Sequence, residues 1–184
     1  MVTIVGIAGS LRQASYNAGL LRAATKALPA GVTLEIGSIV GIPLYDADKE
    51  AAEGIPAAVS ALKEQIAAAD GLLLATPEYN NGIPGVFKNA IDWLSRPPAD
   101  IGRVFGGKPV AIIGASPGGF GTILAQNGWL PVLHTLGARH WSGGRLLVSG
   151  AGKAFDAAGN LIDDVVARRL ESFIADFAAT LRKP

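Results

Sequence analysis

Short apolar runs alternate with longer helical patterns along the chain, and this alternation constrains the fold more than any other feature. Four runs are nearly continuous in Val, Ile, Leu and Ala, as expected of strands buried on both faces of a parallel sheet. They span Val2–Ala8 and residues 32–36, 71–76 and 110–115. A fifth strand is expected between Arg139 and Ser149, where a Gly-Gly break makes its boundaries vague.

Helical patterns fill the intervals between these runs. The first helix is expected over residues 17–28, and the second and third begin at Pro56 and Pro84. A fourth begins near Thr122, and Pro131 must kink or end it. The last covers residues 164–182, with Asp163 as its N-cap. Five βα units predict a single α/β domain over residues 1–184. We expect a doubly wound, five-stranded parallel sheet in the order 2-1-3-4-5, with helices on both faces.

The strand order predicts where a ligand binds. In doubly wound sheets, ligands lie beyond the carboxyl ends of the strands at the point where the order reverses. Here the reversal falls between the first and third strands. The loops after Ala8 and Thr76 are therefore expected to hold the ligand, and the loop after the fourth strand to close one side.

The first of these loops has the chemistry of an anion site. Its residues 9–17 read Gly-Ser-Leu-Arg-Gln-Ala-Ser-Tyr-Asn, at the entry to a helix. The positive helix end favours an anion, Arg12 offers a fork suited to phosphate, and Ser10, Ser15 and Asn17 can donate hydrogen bonds. No Walker lysine or G-x-G-x-x-G pattern is present. The alternative is structural: Asn17 only caps the helix and Arg12 only faces water.

The second and third loops suit a flat ligand. Residues 77–85 read Pro-Glu-Tyr-Asn-Asn-Gly-Ile-Pro-Gly, and their aromatic ring and amides match the face and the hydrogen-bonding edge of an isoalloxazine. Residues 114–121 contain four glycines, which permit close approach of the backbone to a planar ligand. Each loop also has a plain alternative, an Asn-Gly turn before a helix in one case and a glycine-rich turn without a ligand in the other.

Composition excludes several classes of function. Hydrophobic residues make up 49% and charged residues 17%, which argues against disorder, and a scattered net charge of +1 argues against a nucleic-acid surface. Without cysteine, disulfides, thiolate metal sites and thiol catalysis are impossible. We see no signal peptide and no apolar run long enough for a membrane helix, so we expect a cytoplasmic protein that binds neither nucleic acid nor membrane.

The remaining polar and aromatic residues have ordinary interpretations. Asp46 and Asp48 are expected in a solvated loop, and both histidines are expected to be structural. Lys88 and Asp92, four apart on the third helix, predict a surface ion pair worth about 0.3–0.5 kcal/mol.

Four stretches match the motifs of one known family. They are residues 9–12 with Ser15 and Asn17, residues 77–80 with Pro84 and Gly85, residues 88–93, and residues 116–118 with Gly121. On these motifs the chain resembles the NADPH-dependent FMN reductase family, a flavodoxin-like group that contains bacterial quinone, chromate, azo-dye and ferric reductases. The first two motifs together are highly specific, and the resemblance extends over essentially the whole chain.

The resemblance implies a set of cofactor-binding residues. The FMN phosphate would be held by Ser10, Arg12, Ser15, Tyr16 and Asn17. The flavin ring would be lined by Pro77, Glu78, Tyr79 and Asn80, with Ser116 and Gly119 nearby on its other side. Arg96 would reach the mouth of the site.

The resemblance also implies an activity and an assembly. Hydride would pass from NADH or NADPH to FMN and then to a quinone or another small acceptor such as chromate, a ferric complex, an azo compound or free flavin. Because nicotinamide and acceptor would use the same exposed flavin face in turn, we expect ping-pong order. Members are homodimers, often paired into tetramers, through the third and fourth predicted helices. We expect Trp93 and Trp129 on those helices to contribute to the interface. Leu124, where the family commonly has arginine, and residues 128–131 depart from the pattern.

Two other functions are compatible with these residues. One is a flavodoxin-like electron carrier without a nicotinamide site, although such carriers usually dock through acidic surfaces and this chain is nearly neutral. The other is a nucleotide-binding regulatory module without redox activity, which would be colourless.

Overall fold

A parallel sheet of six segments runs through the computed structural model, which describes residues 1–182. The strands are β1 (Val2–Ala8), β2 (Val32–Gly37), β3 (Gly71–Ala75), β4 (Pro109–Ala115), β5 (Arg139–His140) and β6 (Leu146–Val148). Their order is β2-β1-β3-β4-β5, and β6 also pairs with β4. This confirms the expected 2-1-3-4-5 order and the flavodoxin-like class.

The fifth position in the sheet is shared by two short strands. β5 pairs with the beginning of β4, at Pro109 and Val110, whereas β6 pairs with its end. The break at Gly143 and Gly144, which made the boundaries of the fifth strand vague in the sequence, separates β5 from β6. A Cβ at Gly143 would lie 2.7 Å from the Trp141 ring, so only glycine lets the chain pass this side chain.

Helices cover both faces of the sheet. They are α1 (Tyr16–Ala24), α2 (Ala47–Glu53), α3 (Ala57–Ala68), α4 (Gly85–Leu94), α5 (Ile101–Val104), α6 (Ile123–Thr135), α7 (Ala151–Ala154) and α8 (Asp164–Leu181). α1 and α8 pack on one face, and α3, α4 and α6 on the other. Alternate strand residues serve the two faces: Leu73 points towards α1 and α8, and its neighbours Leu72 and Leu74 point the opposite way. Within residues 1–182, no helix combines the length and the apolarity needed to cross a membrane.

The helix predictions were partly right. Asp163 caps α8 as expected, accepting hydrogen bonds from the N–H groups of Val165 and Val166. Pro131 does not end α6, which continues to Thr135. Asp46 does not lie in an unstructured loop but caps α2, a helix with no buried residue and therefore no apolar stripe for the sequence to show.

Two tryptophans expected at an interface lie inside the chain instead. Trp93 and Trp129 are almost completely buried. Trp93 donates through Nε1 to the Pro43 carbonyl at 2.9 Å, and Trp129 donates to Thr76 Oγ1 at 3.2 Å. Both therefore stabilise the fold of a single chain, and the expectation for them was wrong. The Lys88–Asp92 ion pair is confirmed, at 2.6 Å.

The tight approach of loop and helix at Gly9 generates a stability prediction. A Cβ at Gly9 would lie 2.1 Å from Phe87 Cδ1, and the Phe87 ring is fully buried against Trp129. Gly9→Ala is expected to lower the free energy of unfolding by about 1–3 kcal/mol, measured by urea titration followed by circular dichroism. Gly85→Ala is the control, because a Cβ there meets no atom within 4 Å. Equal stability of the two variants would contradict the close-packing argument.

Candidate functional site

Three loops meet above the carboxyl ends of β1, β3 and β4. Loop 1 (residues 9–15), loop 2 (residues 76–84) and loop 3 (residues 116–122) surround a cavity of about 110 Å³. Its lining residues are Ser10, Arg12, Ser15, Tyr16, Asn17, Pro77, Glu78, Tyr79, Ala115, Ser116 and Pro117. The cavity therefore lies at the point where the strand order reverses, as expected for a doubly wound sheet.

Most of the residues expected at the site line this cavity. Of those named from the sequence, Asn80 and Gly119 do not line it. Ala115 and Pro117 line it but were not among the expected residues. Both fall within residues 114–121, the segment expected to approach a flat ligand, but neither was named singly; Ala115 closes β4 and has the pattern of an ordinary buried strand residue.

Arg12 gives one end of the cavity a positive charge. Its guanidinium carbon lies 5.4 Å from the centre of the Tyr16 ring, which in turn packs against Phe155 at 5.1 Å. Arg12 is exposed, and it makes no ion pair with any residue in the range 1–182. The guanidinium is thus held near the start of α1 while its hydrogen-bonding groups stay available to an anion.

Ser15, rather than Asn17, caps α1. The Ser15 hydroxyl oxygen accepts the N–H of Ala18 at 3.3 Å. Asn17, only 2% exposed, donates through Nδ2 to the Ala115 carbonyl and accepts the Ala115 N–H through Oδ1, both at 2.9 Å. Its carboxamide joins α1 to the end of β4, and a single amide hydrogen remains for a ligand.

Loop 2 turns through two asparagines with left-handed backbone. Asn80 and Asn81 have φ angles of 49° and 61°, as a type I′ turn requires, and asparagine tolerates this region better than most residues. Tyr79 and Gly82 exchange backbone hydrogen bonds at 3.1 and 3.0 Å across the turn. The turn leaves Tyr79 52% exposed beside the cavity, where a flat ligand can lie against its ring.

The Glu78 carboxylate is committed to α6. Its Oε2 accepts the N–H groups of Leu124 at 2.8 Å and Ala125 at 2.9 Å, and so caps the helix. Thr122, at the N-cap position itself, makes no capping bond because its hydroxyl oxygen accepts from Gln126 Nε2. The backbone of Glu78 can still face a ligand, but its charge ties loop 2 to the helix that follows loop 3.

Loop 3 is anchored at its base. The Ser116 N–H donates to the Val148 carbonyl at 3.0 Å, and the Gly118 carbonyl accepts the Gly150 N–H at 3.2 Å. Beyond these anchors Phe120 is 75% exposed. The loop therefore has a fixed base beside the cavity and an apolar ring near its tip.

Arg96 does not reach the mouth of the site in its own chain. It follows α4, which begins at loop 2 and runs away from it, and its Nε donates to the two Glu50 carboxylate oxygens at 2.8 and 3.1 Å. This hydrogen bond lowers the pKa of Glu50 below its usual value. Within a single chain the expectation for Arg96 is therefore not met, because its partner Glu50 lies on α2, a helix that the sequence did not indicate.

Comparison with known proteins agrees with this geometry. The family described as NADPH-dependent FMN reductase matches residues 2–153. An NAD(P)H-dependent FMN reductase of Pseudomonas aeruginosa is 48% identical over 163 residues, which cover 89% of this chain and 86% of the relative. A 2-hydroxy-1,4-benzoquinone reductase of a Burkholderia species is 38% identical, with 97% and 96% covered.

A solved structure extends the match to the whole fold. The flavoenzyme NAD(P)H:(acceptor) oxidoreductase FerB from Paracoccus denitrificans is similar with a TM-score of 0.85 at 33% identity, over 98% of this chain and 97% of that one. The matched range contains all three loops of the cavity. The chain belongs to the NADPH-dependent FMN reductase family.

Proposed function

We propose that this chain uses FMN to carry electrons from NADH or NADPH to small acceptors, quinones among them. The observation that carries the proposal is the pairing of an available guanidinium at the start of α1 with an open aromatic ring across one cavity. Family membership supports the cofactor and the activity, and the reductases it resembles are named for FMN and for a benzoquinone. Chromate, ferric complexes, azo compounds and free flavin are further candidate acceptors.

The residues present fit FMN, which combines a phosphate with a flat ring. Arg12, Ser10 and Tyr16 stand at the cationic end of the cavity, beside the capped start of α1, where a phosphate is favoured. Ser15 and the remaining amide hydrogen of Asn17 can add donors there. The ring would lie along loop 2, against Pro77, Tyr79 and the backbone of Glu78 and Asn80, with Ser116 and Gly119 nearby and one face left open.

The chain's own residues need only bind and orient. When bound, the flavin supplies the hydride chemistry. The cavity is lined by one carboxylate, Glu78, and its Oε2 is occupied by two N–H groups of α6. Placement of a nicotinamide or an acceptor against the open face would then account for catalysis, through proximity and orientation. Relatives named as reductases support this enzyme over an electron carrier without a nicotinamide site.

We also propose a homodimer through α4 and α6. A partly apolar groove of about 380 Å³ lies beside these helices. Its apolar lining residues are Ile91, Ile101, Pro131, Val132 and Leu136, and its polar ones are Ser95, Thr135 and the ion-paired Lys88 and Asp92. Leu130 on α6 is a further exposed apolar residue. Because Trp93 and Trp129 are buried within the chain, this surface and not the tryptophans supports the proposed interface.

Arg12 provides the test of the phosphate end. A charge-assisted hydrogen bond contributes about 1.5–3 kcal/mol, so Arg12→Ala is expected to weaken FMN binding about ten- to a hundred-fold. Riboflavin, which lacks the phosphate, is expected to bind both proteins alike in fluorescence titrations. Arg145→Ala, a change at an exposed arginine that does not line the cavity, is the control. Equal weakening of FMN and riboflavin would show that Arg12 is structural.

The shared open face predicts the kinetic order. If loop 2 covers one side of the flavin ring, nicotinamide and acceptor must use the other side in turn. Initial rates at several fixed acceptor concentrations are then expected to give parallel double-reciprocal lines, with each substrate competitive against the other in excess. Intersecting lines would indicate a ternary complex and two separate binding sites.

The proposed dimer is tested by sedimentation. The wild-type chain is expected to sediment as a dimer or a larger assembly at micromolar concentration. Leu130→Asp is expected to shift it towards monomer, because a charge would be buried at the interface. Val165→Asp, at an exposed position on α8, is expected to leave the assembly unchanged. A monomeric wild-type protein would refute the interface.

A further inference from the structure

The tip of loop 3 lies between two points that are fixed at the cavity. Pro117 lines the cavity, and the N–H of Leu124 is held by Glu78, another lining residue. Phe120 is three residues from Pro117, so its Cα lies within about 11 Å of the Pro117 Cα at 3.8 Å per residue. The ring of Phe120 is therefore within reach of the space above the cavity.

Phe120 contributes little to the packing of its own chain. Its side chain is 75% exposed, although its carbonyl is fixed by the Ile123 N–H at 3.4 Å. Tyr79 is 52% and Leu124 is 42% exposed on either side of the Glu78 contact. We name Tyr79, Phe120 and Leu124 the apolar rim. Each of the three is exposed and is, or lies close in the chain to, a residue of the cavity lining, and exposed apolar side chains beside a cavity are typical of a surface that contacts a ligand.

The charges around the cavity complement this rim. Arg12 is the cation among the lining residues, and it stands on loop 1 at the end assigned to phosphate. Among the lining residues, an anionic acceptor at the rim would thus meet no cation other than Arg12, and it would lie near the Glu78 carboxylate. A neutral aromatic acceptor would instead gain ring contacts and bury apolar surface.

We infer that Phe120 is a specificity-determining residue, through which the apolar rim favours neutral aromatic acceptors over anionic ones. The inference rests on the proposed function, because it assigns a role within the same site. Phe120 does not line the cavity, so its effect is expected on the acceptor and not on FMN affinity.

The test introduces a positive charge into the apolar rim at Phe120. The value of kcat/KM is measured with a neutral 1,4-naphthoquinone and with its sulfonate derivative, for the wild type, Phe120→Arg and Phe120→Leu. Phe120→Arg is expected to shift the neutral-to-anionic ratio on the order of tenfold towards the anion, and Phe120→Leu to stay close to the wild type. Comparison across variants cancels the different intrinsic reactivities of the two acceptors. Val165→Arg, an added cation on α8, is expected to leave the ratio unchanged.

The outcomes separate this inference from the function on which it rests. An active wild type whose ratio is the same in Phe120→Arg would overturn the role of Phe120 alone. The same holds if Phe120→Arg changes only the oligomeric state, since Phe120 would then be an interface residue, or only the affinity for FMN. A wild type that binds no FMN, or that oxidises NAD(P)H with neither acceptor, would overturn the proposed function and this inference together.

Discussion

The site depends on one buried side chain, the carboxamide of Asn17. It makes both hydrogen bonds that a neighbouring strand would make to Ala115, and so fixes the first turn of α1 to the last residue of β4. Loop 1 ends at the first of these points and loop 3 begins at the second, so the two loops hold their relative positions before any ligand binds. Removing this side chain would leave two buried backbone groups unpaired, which costs more than the bonds themselves contribute.

A second contact of the same kind attaches loop 2. The Glu78 carboxylate caps α6 directly after loop 3, and the indole of Trp129 on that helix donates to Thr76 at the base of loop 2. These side-chain contacts join all three loops into one frame. The exposed side chains of Arg12 and Tyr79 are positioned by this frame but make none of its hydrogen bonds. They can therefore contact a ligand without weakening the fold.

Prediction from the sequence succeeded where burial leaves a local pattern and failed where the partner is distant in sequence. Apolar runs identified the strands, whereas the Asp46-capped helix buries nothing and shows no periodicity. The split of the last strand depends on a ring, Trp141, packed over Gly143. In the site, most of the residues implied by the family resemblance line the cavity. The actual partners of Asn17 and Glu78 lie 98 and 46 residues away, and nothing in their local sequence indicates them.

Cationic side chains divide in the same way between those that stabilise the fold and those that are available to a ligand. Arg96 is bonded to Glu50, and the largely buried Lys63 is bonded to Asp100, both outside the set of residues that line the cavity. Among residues 1–182, the Arg12 guanidinium is held only by the Tyr16 ring, a cation–π contact worth about 0.5–1 kcal/mol at an exposed site. An incoming phosphate therefore has no ion pair to break at Arg12. Since orienting the cation in advance lowers the entropy cost of binding, this arrangement favours tight capture of an anion by a single guanidinium.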